Sequence, residues 1–225
     1  MKMPIARFDP DTDREVRYEE YDLPELEKAT VLQGLMHIYD EQDSTLAFSF
    51  NCRYKNCGLC GMTINGRPDL ACLTPLADGT VVEPLRNLPV LRDLVIDRRK
   101  LFADLGTFAA YIPEPADSQA GGNVEVVLEP PERSAYMQCT ECLVCVAMCP
   151  EYRHDGSGSA GPMTFVKLMQ LHLDPRDTTD RQAQARQLGI DKCADCKDCG
   201  CPNNIPIRRG AIACLLGERN SAGPE

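Results

Sequence analysis

The chain has 225 residues, a formal net charge of −10 and thirteen cysteines. That length accommodates two modest domains, and the acidity argues against a nucleic-acid partner. The lack of any apolar run of about eighteen residues argues against a membrane span.

Thirteen thiols would make a disulfide framework only in a small secreted protein. The opening MKMPIARFDP has no apolar leader core, so the expected compartment is the reducing cytoplasm, where clustered cysteines bind metal. From Ile5 to Leu23, Val16, Tyr18 and their aromatic neighbours alternate with charge around Asp9-Pro10-Asp11, which predicts a first hairpin. A helix is predicted over about 30–42, because Val31, Leu32, Leu35, Met36 and Tyr39 share one face. His37 lies beside that stripe and, like His154 and His172, reads as a packing or surface residue.

A strand expected at Leu46 to Phe50 runs into Cys52, Cys57 and Cys60. Cys52-x4-Cys57-x2-Cys60 is the plant-type ferredoxin spacing for a 2Fe-2S cluster, and it needs one more distant thiolate. Cys72 supplies it: Met62-Thr63-Ile64 and Asp69-Leu70-Ala71 flank Asn65-Gly66, a hairpin signal that returns the chain to the loop. Gly58 and Gly61 allow the backbone to wrap closely around a cluster. A zinc site from the same four thiols is the alternative.

A further strand is expected at Thr80 to Glu83, followed by a helical connector carrying Val90, Leu91, Leu94, Val95, Leu101, Phe102 and Leu105. The first domain is expected to end near Leu105, giving domains of 1–105 and 106–225, with a Pro/Gly-rich linker at 112–123. The basic runs Arg98 to Lys100 and Arg208-Arg209 are expected to be solvated faces.

In the second domain, Cys139, Cys142, Cys145 and Cys149, with Pro150 next, form the bacterial ferredoxin run, whose fourth cysteine reaches to another cluster. A Gly/Ser-rich loop follows, then a helix opening at Pro162 with Phe165, Val166, Leu168, Met169 and Leu173 on its apolar face. A short helix is predicted at 180–188, capped by Thr179 or Asp180 and ended by Gly189. The partner motif is Cys193, Cys196, Cys199 and Cys201-Pro202. Only Gly200 separates its last two cysteines, so an extended backbone there would point them to opposite sides. The count then closes with Cys52, Cys57, Cys60 and Cys72 on a 2Fe-2S cluster. Cys139, Cys142, Cys145 and Cys201 take one 4Fe-4S cluster, and Cys149, Cys193, Cys196 and Cys199 take a second. Cys214 is left over as a small apolar residue in AIACLL.

A plant-type motif followed by a bacterial-type pair resembles the iron-sulfur subunit of succinate dehydrogenase and fumarate reductase. The likeness extends to PLRNLPVLRDLVID at 84–97, Gly161-Pro162, DPRD at 174–177 and Ala211-Ile212. It implies an α+β chain, with a β-grasp 2Fe-2S domain facing an FAD-bearing flavoprotein subunit. A helical domain would then pass electrons towards a membrane anchor. The flavin and the substrate chemistry belong to the partner, so no catalytic residue is expected on this chain. The chain would lie in the cytoplasm or on the inner membrane face through a partner.

Two departures stand out. The family's usual second motif lacks a middle cysteine and holds a 3Fe-4S cluster, whereas Cys196 occupies that position here and completes a four-thiolate set, 3Fe-4S being the alternative if Cys196 is not a ligand. The family's quinone-site aromatics and histidine are replaced by Glu151, Tyr152, Arg153 and Ala194. These departures motivate a second reading, an adaptor for a soluble or heterodisulfide-reductase-like partner. A zinc-binding interaction module is a third.

Overall fold

The computed structural model describes residues 1–25, 28–113 and 127–218. Most of the expected linker at 112–123 lies outside the described residues. The chain divides into two compact units that interleave along the sequence. The first comprises Met1–Arg98, Thr140–Pro150 and Gly200–Asn204, so the change from one unit to the other comes ahead of Leu105.

The first unit is built on a five-stranded sheet in the order β2-β1-β5-β3-β4. Its strands are β1 (Lys2–Arg7), β2 (Arg17–Asp22), β3 (Gly61–Ile64), β4 (Arg67–Leu70) and β5 (Val82–Glu83). β1 and β5 run parallel while the other neighbours are antiparallel, which is the mixed sheet expected of a β-grasp. Helix α1 (Val31–Glu41) buries Val31, Leu32, Leu35 and Ile38. A Cβ added at Gly34 would stand 3.2 Å from Met3 Sδ, so the glycine lets α1 lie close to β1. Thr30 and Gln33 form a reciprocal capping box at the start of α1.

The first hairpin forms, but as an edge pair. Val16 and Tyr18 face solvent, and of the residues of β2 only Tyr21 is buried. The Asn65-Gly66 turn joins β3 and β4 with both residues at positive φ (50° and 75°), the geometry of a tight hairpin turn.

Two expectations fail. Leu46 to Phe50 form no strand. Their backbone is held by the Asp93 carboxylate, which accepts from Ala47 N at 2.8 Å and from Phe8 N at 2.9 Å. The buried Arg7 guanidinium locks that carboxylate, with Nε 3.0 Å from Asp93 Oδ1 and Nη2 2.9 Å from Thr45 Oγ1, while Nη1 reaches Asp43 and the Tyr21 hydroxyl. The helical connector is also only half right. Val90–Arg92 (β6) and Val95–Ile96 (β7) pair as a small hairpin, because Asp93 takes a left-handed φ of 44° that ends any helix there. The helix begins only with α2 (Arg99–Thr107).

The second unit comprises Arg99–Cys139, Glu151–Cys199 and Ile205–Glu225. It is helical: besides α2 it holds α3 (Arg133–Met137) and α5 (Pro162–His172), whose Phe165, Val166, Leu168 and Met169 are buried. The helix α4 (Val144–Met148) belongs to the first unit. The predicted short helix is α6 (Arg181–Gln187), capped by Asp180 and stopped at left-handed Gly189. A π-helical turn, Ile207–Ile212, leads into α7 (Ala213–Leu216). Ion pairs on buried carboxylates fix the loops: Asp174 joins Arg133 at 2.9 Å and the exposed Arg176 at 2.7 Å, and Asp177 joins Arg181 at 2.6 Å. No helix among the described residues is long and apolar enough to cross a membrane.

Candidate metal centres

The β3–β4 hairpin sets Cys60 and Cys72 side by side, since Ala71 N donates to Cys60 O at 2.9 Å. The loop between α1 and β3 then folds back on them. Arg53, Lys55 and Gly58 all take positive φ (60°, 39° and 67°), which turns successive N–H groups inward. Lys55 N donates to Cys72 Sγ at 3.3 Å, and Tyr54 N and Cys57 N each donate to Cys52 Sγ at 3.3 Å. Cys52 N lies 3.5 Å from Cys57 Sγ.

The four thiols Cys52, Cys57, Cys60 and Cys72 thus come together in a cradle of backbone donors, the environment a thiolate-bound cluster requires. Electrostatics differ around it. The N–H of Tyr54 and the other backbone donors depress the Cys52 thiol, whereas burial pushes Cys60 up to about 12. A single zinc ion would draw thiolates to about 2.3 Å. Among the described residues, no three Cys, His, Asp or Glu side chains are grouped to hold one ion.

Beside Cys52 lies an aromatic face. Phe48 and Phe50 stack at 5.4 Å, Arg53 lies 5.8 Å over Phe50, and Tyr39 meets Phe48 edge-on. Together with Met36 and Leu46 they line a groove of about 860 Å³.

The bacterial-type run enters the same unit at Thr140. Glu141 and Leu143 take left-handed φ, and α4 carries Cys145 with Cys149 as its C-cap. Cys142, Cys145 and Cys149 are buried and Cys139 is half-buried. The last carbonyls of α4 are satisfied by side chains from the segment after β5. Arg86 Nε donates to Ala147 O at 3.0 Å, and Asn87 Nδ2 donates to Ala147 O and Cys149 O at 3.1 and 3.2 Å.

The plant-type loop and the bacterial-type run of this unit meet backbone to backbone. A Cβ on Gly58 would fall 2.4 Å from Thr140 O, and one on Gly61 would fall 2.8 Å from Cys142 O. These glycines are required for the approach itself as well as for loop freedom. Asn203 Nδ2 reaches Thr140 Oγ1 at 3.3 Å, and a Cβ on Gly200 would stand 2.8 Å from Met148 Cε, so the Cys201 segment packs on the α4 run.

In the second unit Cys193 closes a 3-10 turn, and Cys196 N donates to Cys193 O at 3.2 Å. Cys196 and Cys199 are half-buried. Arg208 holds this loop, with Nε donating to Cys196 O at 3.0 Å and Nη2 to Ala194 O at 2.6 Å. The basic runs are therefore not simply solvated faces: Arg208 clasps the second triplet, and Arg98 donates to carbonyls of both cysteine loops of the first unit. Their signal in the sequence was only proximity to the motifs. Tyr152 is buried against Gly161, with its hydroxyl 3.5 Å from His154 Nδ1, and burial pushes the phenol up to about 12. Cys214 is half-buried in α7, its carbonyl accepting from Gln182 Nε2 at 2.8 Å.

Residues 2–103 match the 2Fe-2S iron-sulfur cluster binding domain, and residues 138–206 match the 4Fe-4S dicluster domain. A fumarate reductase iron-sulfur subunit of Mycobacterium tuberculosis is 35% identical over 231 residues, covering 99% of this chain and 85% of that protein. A fumarate reductase (CoM/CoB) subunit of Methanothermobacter marburgensis is 32% identical over 98% of this chain, which spans only 45% of that longer protein. Among solved structures, a chain of the Mycobacterium smegmatis Sdh1 complex in the apo form matches with a TM-score of 0.78 at 30% identity, over 95% of this chain and 92% of that one. The chain belongs to the family of iron-sulfur subunits of fumarate reductases and succinate dehydrogenases.

Proposed function

We propose that this chain carries electrons between a flavoprotein subunit and a second carrier in a fumarate reductase or succinate dehydrogenase-like complex. In this reading residues 1–105 hold a 2Fe-2S cluster through Cys52, Cys57, Cys60 and Cys72, and residues 106–225 hold two 4Fe-4S clusters. Cys139, Cys142, Cys145 and Cys201 bind one, and Cys149, Cys193, Cys196 and Cys199 the other. When bound, the clusters supply one-electron carriers whose potentials depend on charge, hydrogen bonds to sulfur and exposure. The chain's own residues hold and tune them. Lys55, Tyr54 and Cys57 donate N–H groups to cradle thiols, and the burial of Cys60, Cys72, Cys142, Cys145 and Cys149 keeps water from the metal sites.

The observation that carries the reading is the direct backbone packing of the plant-type loop on the first bacterial-type run at Gly58 and Gly61. Two redox loops in contact serve conduction, whereas an interaction module has no need of it. FAD and the substrate chemistry belong to the partner, and this chain contributes no catalytic acid or base. The aromatic face beside Cys52 suits the flavoprotein contact. A set of thirteen free thiols suits the cytoplasm, with attachment to the inner membrane face through a partner.

A second reading concerns the other terminal partner. Glu151, Tyr152, Arg153 and Ala194 stand where the family's quinone aromatics and histidine are usual, and one relative is named a fumarate reductase (CoM/CoB) subunit. Both favour a soluble or heterodisulfide-reductase-like partner over quinone.

The test is anaerobic purification through a tag on this chain, dithionite reduction, and exposure to fumarate. Rapid reoxidation of the clusters with a co-purifying flavin subunit supports the proposal. Reduced clusters that ignore fumarate with the flavin subunit present remove it as the substrate. Quinones and soluble electron carriers are then compared on the same preparation.

A further inference from the structure

Arg98 is half-buried in the first unit, directly after β7. Its Nη2 donates to Gly58 O at 3.2 Å, next to Cys57 in the plant-type loop. Its Nη1 donates to Glu141 O at 3.3 Å, next to Cys142 in the bacterial-type run. The two loops otherwise meet through glycine, where even a methyl group would collide with Thr140 O or Cys142 O. One guanidinium therefore bridges the place where the two cysteine loops touch.

A planar fork of five donors can reach two carbonyls at once, which a lysine ammonium on a single stem does less well. Burial pulls the Arg98 pKa down, opposed by the nearby Cys142, Cys57 and Cys60 and by the Glu141 carboxylate. Arginine nevertheless remains charged in a protein. Lys100, two residues on, is taken up by Asp104 at 2.6 Å.

We propose that Arg98 is a positioning residue shared by two metal centres, and that its cation raises the reduction potential of both the 2Fe-2S cluster and the first 4Fe-4S cluster. The inference rests on the ligand sets proposed above. Each reduction adds one electron and so one negative charge, with no bond made or broken, and a fixed cation in a partly desolvated site stabilises that added charge. Because one cation serves both centres, its removal shifts the two potentials together.

The experiment is a potentiometric titration of the purified complex followed by electron paramagnetic resonance, on wild type, Arg98→Gln and Arg98→Lys. In Arg98→Gln both potentials are expected to fall, each reduction equilibrium weakening about ten-fold, or about 59 mV for a one-electron couple. Arg98→Lys, which keeps the charge, is expected to restore most of both shifts. Unchanged potentials in Arg98→Gln overturn the proposal, and so does an Arg98→Lys protein as low as Arg98→Gln, which would mark a purely structural role. If Arg98→Gln loses its iron, Arg98→Lys decides alone: potentials near wild type support the proposal and a fall in both overturns it. A wild-type complex lacking either cluster signal would instead overturn the ligand assignment.

Discussion

Cys196 is the residue on which the proposed cluster inventory turns. It stands between Cys193 and Cys199 on a loop whose carbonyls Arg208 holds, so its place is fixed by the fold as well as by the period of three. Cys196→Ser is expected to convert the second 4Fe-4S cluster to a 3Fe-4S cluster or to lose it, leaving the 2Fe-2S signal intact. Iron analysis and low-temperature spectra check this, and unchanged iron content would exclude Cys196 as a ligand. Asp174 shows the same economy in a structural role. Its fully buried carboxylate sits between Arg133 and Arg176, and the Arg176 guanidinium holds it well below the usual carboxylate range, at about 2. A depressed folded value stabilises the chain above the unfolded value of about 3.9, and that stability is lost as pH falls towards 2. Asp174→Asn leaves Arg133 and Arg176 without their shared anion, and it is expected to cost about 3 kcal/mol at neutral pH. The gap in melting temperature from wild type should then close between about pH 4 and pH 2.

At the scale of elements, the helices were legible where local signals agreed. For α1 the apolar stripe marked the helix, and the structure adds the Thr30/Gln33 box at its start. Thr30→Ala removes the side-chain acceptor for Gln33 N and is expected to cost about 1 kcal/mol, read as a lowered unfolding midpoint. The Asn65-Gly66 hairpin and the Asp180 and Gly189 ends of α6 were equally legible, because their chemistry lies within a few residues of the turn it makes. Leu46 to Phe50 misled because alternation predicts a strand only if an edge is free to pair with it. Here Ala47 N donates instead to Asp93, positioned by Arg7 from far along the chain, and Ala47 O accepts from Leu94 N. The stretch around Leu91 and Leu94 misled for a related reason: its spacing suits a helix, yet the left-handed Asp93 turns it into the β6–β7 hairpin.

At the scale of the whole molecule, residues 140–150 and 200–204 complete the unit that the N-terminal sheet begins. A fragment of residues 1–105 would leave Gly58 and Gly61 without their covering backbone, and Arg86, Asn87 and Arg98 without the carbonyls they now serve. Such a fragment is expected to lose its 2Fe-2S absorbance in air faster than the full chain. Equal lifetimes would mean that the plant-type loop needs no cover. The sequence by itself marked a 2Fe-2S and a 4Fe-4S domain and the family, because cysteine spacing within a loop is a local code that few other chemistries share. Only the tertiary structure decided that Arg98 and Arg208 are not solvated charges, that Gly58 and Gly61 are contact points, and that the chain interleaves its two units. Each of those depends on which carbonyl lies within about 3 Å of a side chain from a distant segment, and no local pattern encodes that distance.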